Sequence, residues 1–120
     1  MKIVIKATQI ELTESLENYV IQKFSTLAKL VKSFEANGEL TLKVELARTT
    51  RHHNKGEVYY VESTLPIVKN LIRIEQIDQD MHAAIDVAKD RMKVEMERFK
   101  ERTQSKNKKE IDELKGKAAE

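Results

Sequence analysis

Apolar and polar residues recur with two different periods along the chain, and these periods divide it into helices and strands. Apolar residues return every three or four positions from Leu16 to Phe34 and again from Met81 to Phe99, which predicts two amphipathic helices. Between Leu40 and Leu46 they alternate with polar residues, which is typical of a half-buried strand. The helical positions are Leu16, Tyr19, Val20, Phe24, Leu27, Leu30, Val31 and Phe34, then Met81, Ala84, Ile85, Ala88, Met92, Met96 and Phe99.

Capping residues predict where the two helices begin and end. Thr13 precedes the first apolar series and is a good N-cap, while Asn37 and Gly38 predict a left-handed C-terminal cap. Either Asp78 or Asp80 can cap the second helix.

Three further segments complete the predicted fold. Residues 2–7 are rich in β-branched residues and predict a first strand. Residues 58–65 predict a third strand, which we expect Pro66 to stop. A turn with Asn70 in the left-handed conformation then leads into a fourth strand, from Leu71 to Glu75. The order β-α-β-β-β-α predicts an α+β two-layer sandwich with both helices on one face of a four-stranded sheet.

Length and composition predict one folded domain followed by a tail. A chain of 120 residues has room for one domain, which we place at residues 1–102. Residues 103–120 are charged and have few apolar side chains, so we expect a solvated, disordered tail. The N-terminus has no apolar signal segment and no run is long enough to cross a membrane, so we expect a cytoplasmic protein without a membrane partner.

The chain shows no pattern typical of an enzyme. It has no cysteine, no glycine-rich phosphate loop and no serine beside a base. His52 and His53 are adjacent in a segment that reads as extended, so their side chains point in opposite directions and chelate poorly. We therefore expect no catalytic residues, no metal site, no cofactor and no small-molecule substrate.

Charge on the second helix is segregated, although the whole chain carries a net charge of only +2. At about 100° per residue, arginines lie on one flank of the apolar stripe, lysines with a histidine on the other, and acids on the side farthest from the sheet. Ordinary packing explains such flanks about equally well, since Lys and Arg stems often cover core edges. The three sets are Arg91, Arg98 and Arg102; His82, Lys89, Lys93 and Lys100; and Asp86, Asp90, Glu97 and Glu101.

Two other segments also present cations. On the first helix, Lys23 lies near the middle of the apolar stripe and must emerge at a rim, such as the groove between the helices. The same helix carries Lys29 and Lys32, and the loop between the second and third strands carries Arg48, Arg51 and Lys55 with no acid between them. Cations on three elements favour a polyanion such as RNA. Aromatic residues are only 5% of the chain, which favours structured RNA over single strands.

These segments resemble the ribosome hibernation promoting factor and protein Y family in its short form, over about residues 1–102. The element order supports the resemblance, as do three stretches of sequence. They are Ile10-Glu11-Leu12-Thr13 before the first helix, Arg51-His52-His53-Asn54-Lys55-Gly56 in the loop, and Asp80-Met81-His82-Ala83-Ala84-Ile85-Asp86 at the start of the second helix.

The resemblance implies a stress or stationary-phase factor that binds small-subunit ribosomal RNA between head and body. There it would occlude the messenger RNA and the A- and P-site transfer RNAs. Thr26 and Val94 stand where relatives often have a basic residue, which implies either a lower affinity or compensation by Lys89 and Lys93. The residues that match basic family positions are Lys23, Lys29, Arg91, Arg98 and Arg102.

The sequence leaves several alternative functions open. A general double-stranded-RNA module shares part of the predicted fold, although the acids Asp78 and Asp80 stand where that module usually has lysines. An interaction module that uses the open face of the sheet is a third reading. We expect a monomer away from the ribosome, and the sequence leaves open whether the chain promotes or opposes ribosome dimers.

Overall fold

A computed structural model describes residues 1–49 and 58–118, with side chains described as far as Ser105. It contains four strands, three α-helices and one short 3₁₀ helix at Lys32–Phe34. The strands are β1 (Lys2–Thr8), β2 (Thr41–Thr49), β3 (Val58–Ile67) and β4 (Asn70–Asp78), and the α-helices are α1 (Glu14–Ser25), α2 (Ala28–Val31) and α3 (Met81–Ala118).

The sheet is mixed, with strand order β1-β2-β3-β4. β1 runs parallel to β2, and the other neighbours are antiparallel. α3 packs over β3 and β4, while α1 packs over β1 and against α3, so the helices form one layer on the sheet. The predicted α+β two-layer fold with four strands is confirmed.

The predicted apolar stripes form the core. All seven stripe positions of the second predicted helix are buried, because α3 lies directly on the sheet. The strands alternate as expected, so that Leu42, Val44 and Leu46 of β2 are also buried beneath the helices. Side chains at the intervening strand positions form the opposite, open face of the sheet.

Both helix starts follow the expected capping chemistry. The Thr13 side chain accepts a hydrogen bond of 3.1 Å from the main-chain N–H of Leu16. The Asp80 carboxylate accepts one of 3.1 Å from the N–H of Ala83, so Asp80, and not Asp78, caps α3. These bonds satisfy main-chain donors that the first helical turn leaves without partners.

The first predicted helix is shorter than its apolar series. α1 ends at Ser25, and only α2 and the 3₁₀ turn continue it. The Ser25 and Thr26 hydroxyls bond back to the carbonyl oxygens of Gln22 and Lys23, which competes with continued helix. Gly38 has a left-handed φ of 144°, but it follows the last helical turn by several residues and does not cap it.

The hairpin between β3 and β4 corrects two predictions. Pro66 does not stop β3, because pairing between β2 and β3 ends at Thr64 and the missing N–H therefore breaks no ladder bond there. The turn residue with positive φ is Val68 (φ 54°) and not Asn70, which lies within β4 and pairs with Ile67.

α3 continues past the predicted end of the domain. The main chain is helical to Ala118, so α3 includes residues 103–118 of the segment expected to be a disordered tail. Its composition explains the difference, since it is rich in lysine and glutamate and has no proline. The domain boundary at residue 102 stays a prediction. Over the described ranges, no helix has an apolar stretch long enough to cross a bilayer.

Candidate nucleic-acid interface

Lys23 lies at the groove between α1 and α3, at the kind of position its place in the apolar stripe predicts. Its ammonium group is 3.5 Å from the Asp86 carboxylate of α3 and 5.4 Å from the centre of the Tyr19 ring. The side chain is 38% exposed, so it remains accessible to a ligand while it is held by α3. Its charge is partly offset by Asp86.

Asp86 is the centre of a small polar cluster that joins the two helices. It accepts a hydrogen bond of 2.6 Å from the Tyr19 hydroxyl in addition to the contact with Lys23. This bond is the main reason that the pKa of Tyr19 is raised to about 12. The His82 ring packs edge-on against Tyr19, with ring centres 4.6 Å apart. The sequence analysis places Asp86 on the side of its helix farthest from the sheet but predicts none of these contacts, which arise because α1 packs against α3.

The arginine flank of α3 lies beside the edge of the sheet. One Arg91 nitrogen donates to the main-chain carbonyl oxygen of Glu75 in β4, at 2.6 Å, and to the Gln76 side-chain oxygen, at 2.8 Å. Arg98 donates to Glu95 of its own helix, at 2.8 Å. Both arginines already have partners within the protein, and Arg91 in particular is held against β4.

Three predicted cations are exposed and have no hydrogen-bond or ion-pair partner among the described side chains: Lys29 on α2, Lys93 and Arg102 on α3. Lys89 contacts its neighbour Asp90 at 3.3 Å. Three cations free of internal competition bind a phosphate without first losing an ion pair, so this group is the best candidate for direct contacts.

The structure describes one of the three cations predicted for the loop between β2 and β3. Arg48 is exposed near the end of β2, where it pairs in register with Tyr59 of β3. Arg51, Lys55 and both loop histidines lie outside the described residues.

The predicted basic residues occupy both sides of α3. Lys89 and Lys93 follow Asp86 along the flank that faces α1, so they share this side with Lys23. α2, which carries Lys29, packs against the same helix. On the other flank, Arg91 lies beside β4. Three lysines thus lie on the side of α3 that faces α1, and a fourth lies on the adjoining α2. We call these four residues the groove surface: Lys23, Lys29, Lys89 and Lys93.

The charged side chains of β3 and β4 on the open face of the sheet are paired with one another. Glu62 accepts hydrogen bonds from Tyr60, Thr64 and Arg73. The bond from Tyr60 and the charge of Arg73 lower the pKa of Glu62, while burial and this same bond raise the pKa of Tyr60 to about 12. Arg73 also pairs with Glu75 at 2.5 Å. Because acids alternate with cations here, this face suits a polyanion less well than the helical layer.

Sequence reasoning missed the polar partners within the helical layer. The periodicity places Tyr19 only in the apolar stripe, yet a buried tyrosine ring usually brings its hydroxyl to a hydrogen-bond partner, and this tendency is the signal for the contact. The contact of Arg91 with β4 joins residues distant in sequence and left no local signal.

Comparison with known proteins places this architecture among ribosome-associated factors. A family model described as Sigma 54 modulation protein / S30EA ribosomal protein matches residues 3–104. The ribosome hibernation promotion factor of Lactococcus lactis subsp. cremoris is 30% identical over 102 residues, which cover 85% of this chain and 51% of that protein. The ribosome hibernation promoting factor of Pseudomonas putida is 29% identical over 107 residues, 88% of this chain and 92% of that one.

Solved structures agree with the fold. The Thermus thermophilus protein Y N-terminal domain superposes with a TM-score of 0.65 at 30% identity, covering 82% of this chain and 99% of that domain. A ribosomal subunit interface protein from Coxiella burnetii gives a TM-score of 0.61 at 12% identity, covering 83% and 98%, and shows the fold alone. The chain spans about half the length of several curated relatives, including the Lactococcus protein.

Proposed function

Because the chain belongs to the Sigma 54 modulation protein / S30EA ribosomal protein family, we propose that it is a ribosome hibernation factor that binds the ribosome and holds it inactive. Relatives named for ribosome hibernation, from Lactococcus to Pseudomonas, support this proposal. Its activity requires binding and not catalysis.

The proposed contact is between the helical layer and small-subunit ribosomal RNA, in the cleft between head and body. Bound there, the domain would occupy the path of messenger RNA and the A- and P-site transfer RNAs. The observation that carries this proposal is the groove surface, where Lys29 and Lys93 have no anionic partner among the described side chains. Phosphates are the natural counter-charges for such a surface.

We further propose that the factor acts in the cytoplasm and is a monomer when it is away from the ribosome. The predicted contact set is then divided by geometry. Lys29, Lys93 and Arg102 would bind phosphates directly. The other predicted cations would first have to leave a partner within the protein: Lys23 and Lys89 leave Asp86 and Asp90, and Arg91 and Arg98 leave Glu75 and Glu95.

Cosedimentation with purified small subunits tests the proposed face. The variant Lys29→Glu/Lys93→Glu/Arg102→Glu reverses three exposed cations and should no longer cosediment at physiological salt. A matched control, Lys2→Glu/Lys43→Glu/Lys69→Glu, makes the same change in net charge at exposed sites on the sheet and its hairpin, and should bind as the wild type does.

Two outcomes would redirect the proposal. If the helical-layer variant cosediments as well as the control does, the proposed face is wrong. If the wild type binds plain duplex RNA as tightly as it binds small subunits, a general duplex-RNA module becomes the better description.

A further inference from the structure

β4 is the last strand of the described sheet, so no further strand pairs with the main-chain groups of its outer edge. Two of its outward carbonyl oxygens accept from side chains, that of Glu75 from Arg91 and that of Ile77 from Gln76. Ile67 and Asn70 close a two-residue hairpin, so they form a hydrogen-bonded pair. By alternation, the N–H and C=O groups of the even-numbered residues point to β3, and those of the odd-numbered residues point outward. The contact of Arg91 with the carbonyl oxygen of Glu75 agrees with this assignment. The outward set is Leu71, Arg73, Glu75 and Ile77.

These four residues are complementary to the same four residues of a second β4 strand that runs antiparallel to the first. An antiparallel copy of β4 centred on Ile74 brings Leu71 opposite Ile77 and Arg73 opposite Glu75, twice each by symmetry. All four positions are hydrogen-bonding positions of the new ladder, so the register satisfies main-chain and side-chain requirements together. Leu71 and Ile77 are 60% and 55% exposed and would be partly covered by this pairing.

We propose that the β4 edge is a docking site for a second copy of this chain, which adds its own β4 antiparallel to form an eight-stranded sheet. The partner is a second copy because the edge is complementary to itself in charge, apolar pattern and hydrogen bonding at one register. A partner of different sequence would have to reproduce all three.

Arg91 controls access to this edge. Its guanidinium occupies the Glu75 carbonyl oxygen, which in the dimer accepts from the N–H of Arg73 of the second copy. The Arg91–Glu75 contact, which we call the edge cap, therefore competes with dimer formation. With the cap in place, the chain remains the monomer that we propose above.

The opposite edge of the sheet lacks this complementarity. β1 places Lys2 and Lys6 among its exposed positions, and lysines on an edge strand oppose strand addition. β4 has one cation, Arg73, and the proposed register places it opposite Glu75 of the second copy.

Removal of the edge cap tests the proposal directly. The variant Arg91→Ala should dimerise at least ten-fold more tightly than the wild type by sedimentation velocity over a concentration series. Arg98→Ala removes an exposed arginine of the same helix whose partner, Glu95, lies within that helix, so it should sediment as the wild type does. Thermal unfolding of each variant checks that the fold is intact. An Arg91→Ala protein that stays monomeric at every concentration would overturn the proposal.

Charge reversal tests the partner and the pairing. In the Arg91→Ala background, Arg73→Glu places two glutamates opposite each other, and Glu75→Arg places two arginines opposite each other, so each protein alone should be monomeric. Mixed in equal amounts, the two should form a heterodimer, because every cross-pair becomes opposite in charge. Dimers of the single proteins, or no heterodimer from folded proteins, would contradict the proposed edge.

Cysteine cross-linking tests the register independently. The chain has no native cysteine, so an introduced one reports a single position. In the Arg91→Ala background, a mixture of Leu71→Cys and Ile77→Cys proteins should form disulfide-linked dimers under mild oxidation. Leu71→Cys alone should not, because that position lies about 20 Å from its own symmetry mate. Equal cross-linking of the mixture and the single protein would rule out this register. None of these tests involves RNA, so their result is independent of the proposed ribosome binding.

Discussion

The Tyr19 hydroxyl on α1 donates a hydrogen bond of 2.6 Å to the Asp86 carboxylate on α3, across 67 positions of sequence. The bond links two of the three helices that carry the groove surface, and it holds Asp86 close to Lys23. A charge-assisted bond in a partly buried site contributes more than an exposed ion pair does.

Loss of this bond should loosen the helical layer. We expect Tyr19→Phe to lower the free energy of unfolding by about 1 to 2 kcal/mol, since the ring still packs while Asp86 loses a donor. A double-mutant cycle with Asp86→Ala should give a coupling energy of about 1 kcal/mol in urea unfolding. Strictly additive effects of the two substitutions would show that the bond contributes nothing.

Val68 should be replaceable with a gain in stability. A β-branched residue at a positive φ of 54° is strained, and this side chain is 72% exposed, so little packing offsets the strain. We expect Val68→Gly to raise the free energy of unfolding by about 1 kcal/mol. Lys69→Gly is the control, because Lys69 does not share the positive φ and glycine there should give no gain. Destabilisation by Val68→Gly would contradict the argument.

Ser63 places a hydroxyl in the core without a hydrogen-bond partner among the described residues. We expect Ser63→Ala to raise the free energy of unfolding by about 1 kcal/mol, because it removes a buried polar atom at little cost in packing. The exposed Ser33→Ala should change stability by less than about 0.5 kcal/mol. A clear loss of stability in Ser63→Ala would indicate that the hydroxyl is bonded in solution.

The open face of the sheet should weaken in acid through Glu62. Tyr60 and Arg73 lower the pKa of this carboxyl below its ordinary value of 4.5, so the folded state favours the ionised form. That stabilisation is complete above about pH 4.5 and is lost as the pH falls through the lowered folded-state pKa.

Glu62→Gln should therefore be less stable than the wild type near pH 7, by on the order of 1 kcal/mol, and the difference should shrink in acid. Urea unfolding at a series of pH values measures it, with the exposed Glu11→Gln as control. A difference that is constant from pH 7 to pH 3 would show that ionisation of Glu62 is not involved.

Binding to small subunits should depend steeply on salt. If several cations of the helical layer neutralise phosphates, affinity should fall on the order of ten-fold or more between 50 and 200 mM salt. Filter binding across this range measures the slope, and Lys93→Glu should reduce it because one phosphate contact is lost. A wild-type slope near zero would argue against phosphate contacts.

Predictions from sequence succeeded where the cause is local. The apolar series on α3 identified every buried stripe position from Met81 to Phe99, because a helix on a sheet buries one stripe at a fixed period. Thr13 is recognisable as a cap because its hydrogen-bond partner, Leu16, is only three residues away. The prediction that Pro66 stops β3 is wrong because a strand tolerates proline where its N–H has no ladder partner. Whether Pro66 has one depends on where the pairing with β2 ends.

The sequence by itself determined the elements, the faces that they bury and the set of cations that they display, all through contacts between residues a few positions apart. Only the tertiary structure decided which cations remain available. Asp86 meets Lys23 because α1 crosses α3, and Arg91 is held at Glu75 because α3 runs beside the edge of β4. Such pairings depend on how the layers pack, and no periodicity along the chain encodes them. The sequence shows the basic residues of α3 only as two flanks of one helix. In the folded protein, one flank belongs to the groove surface and the other lies at the capped edge of the sheet.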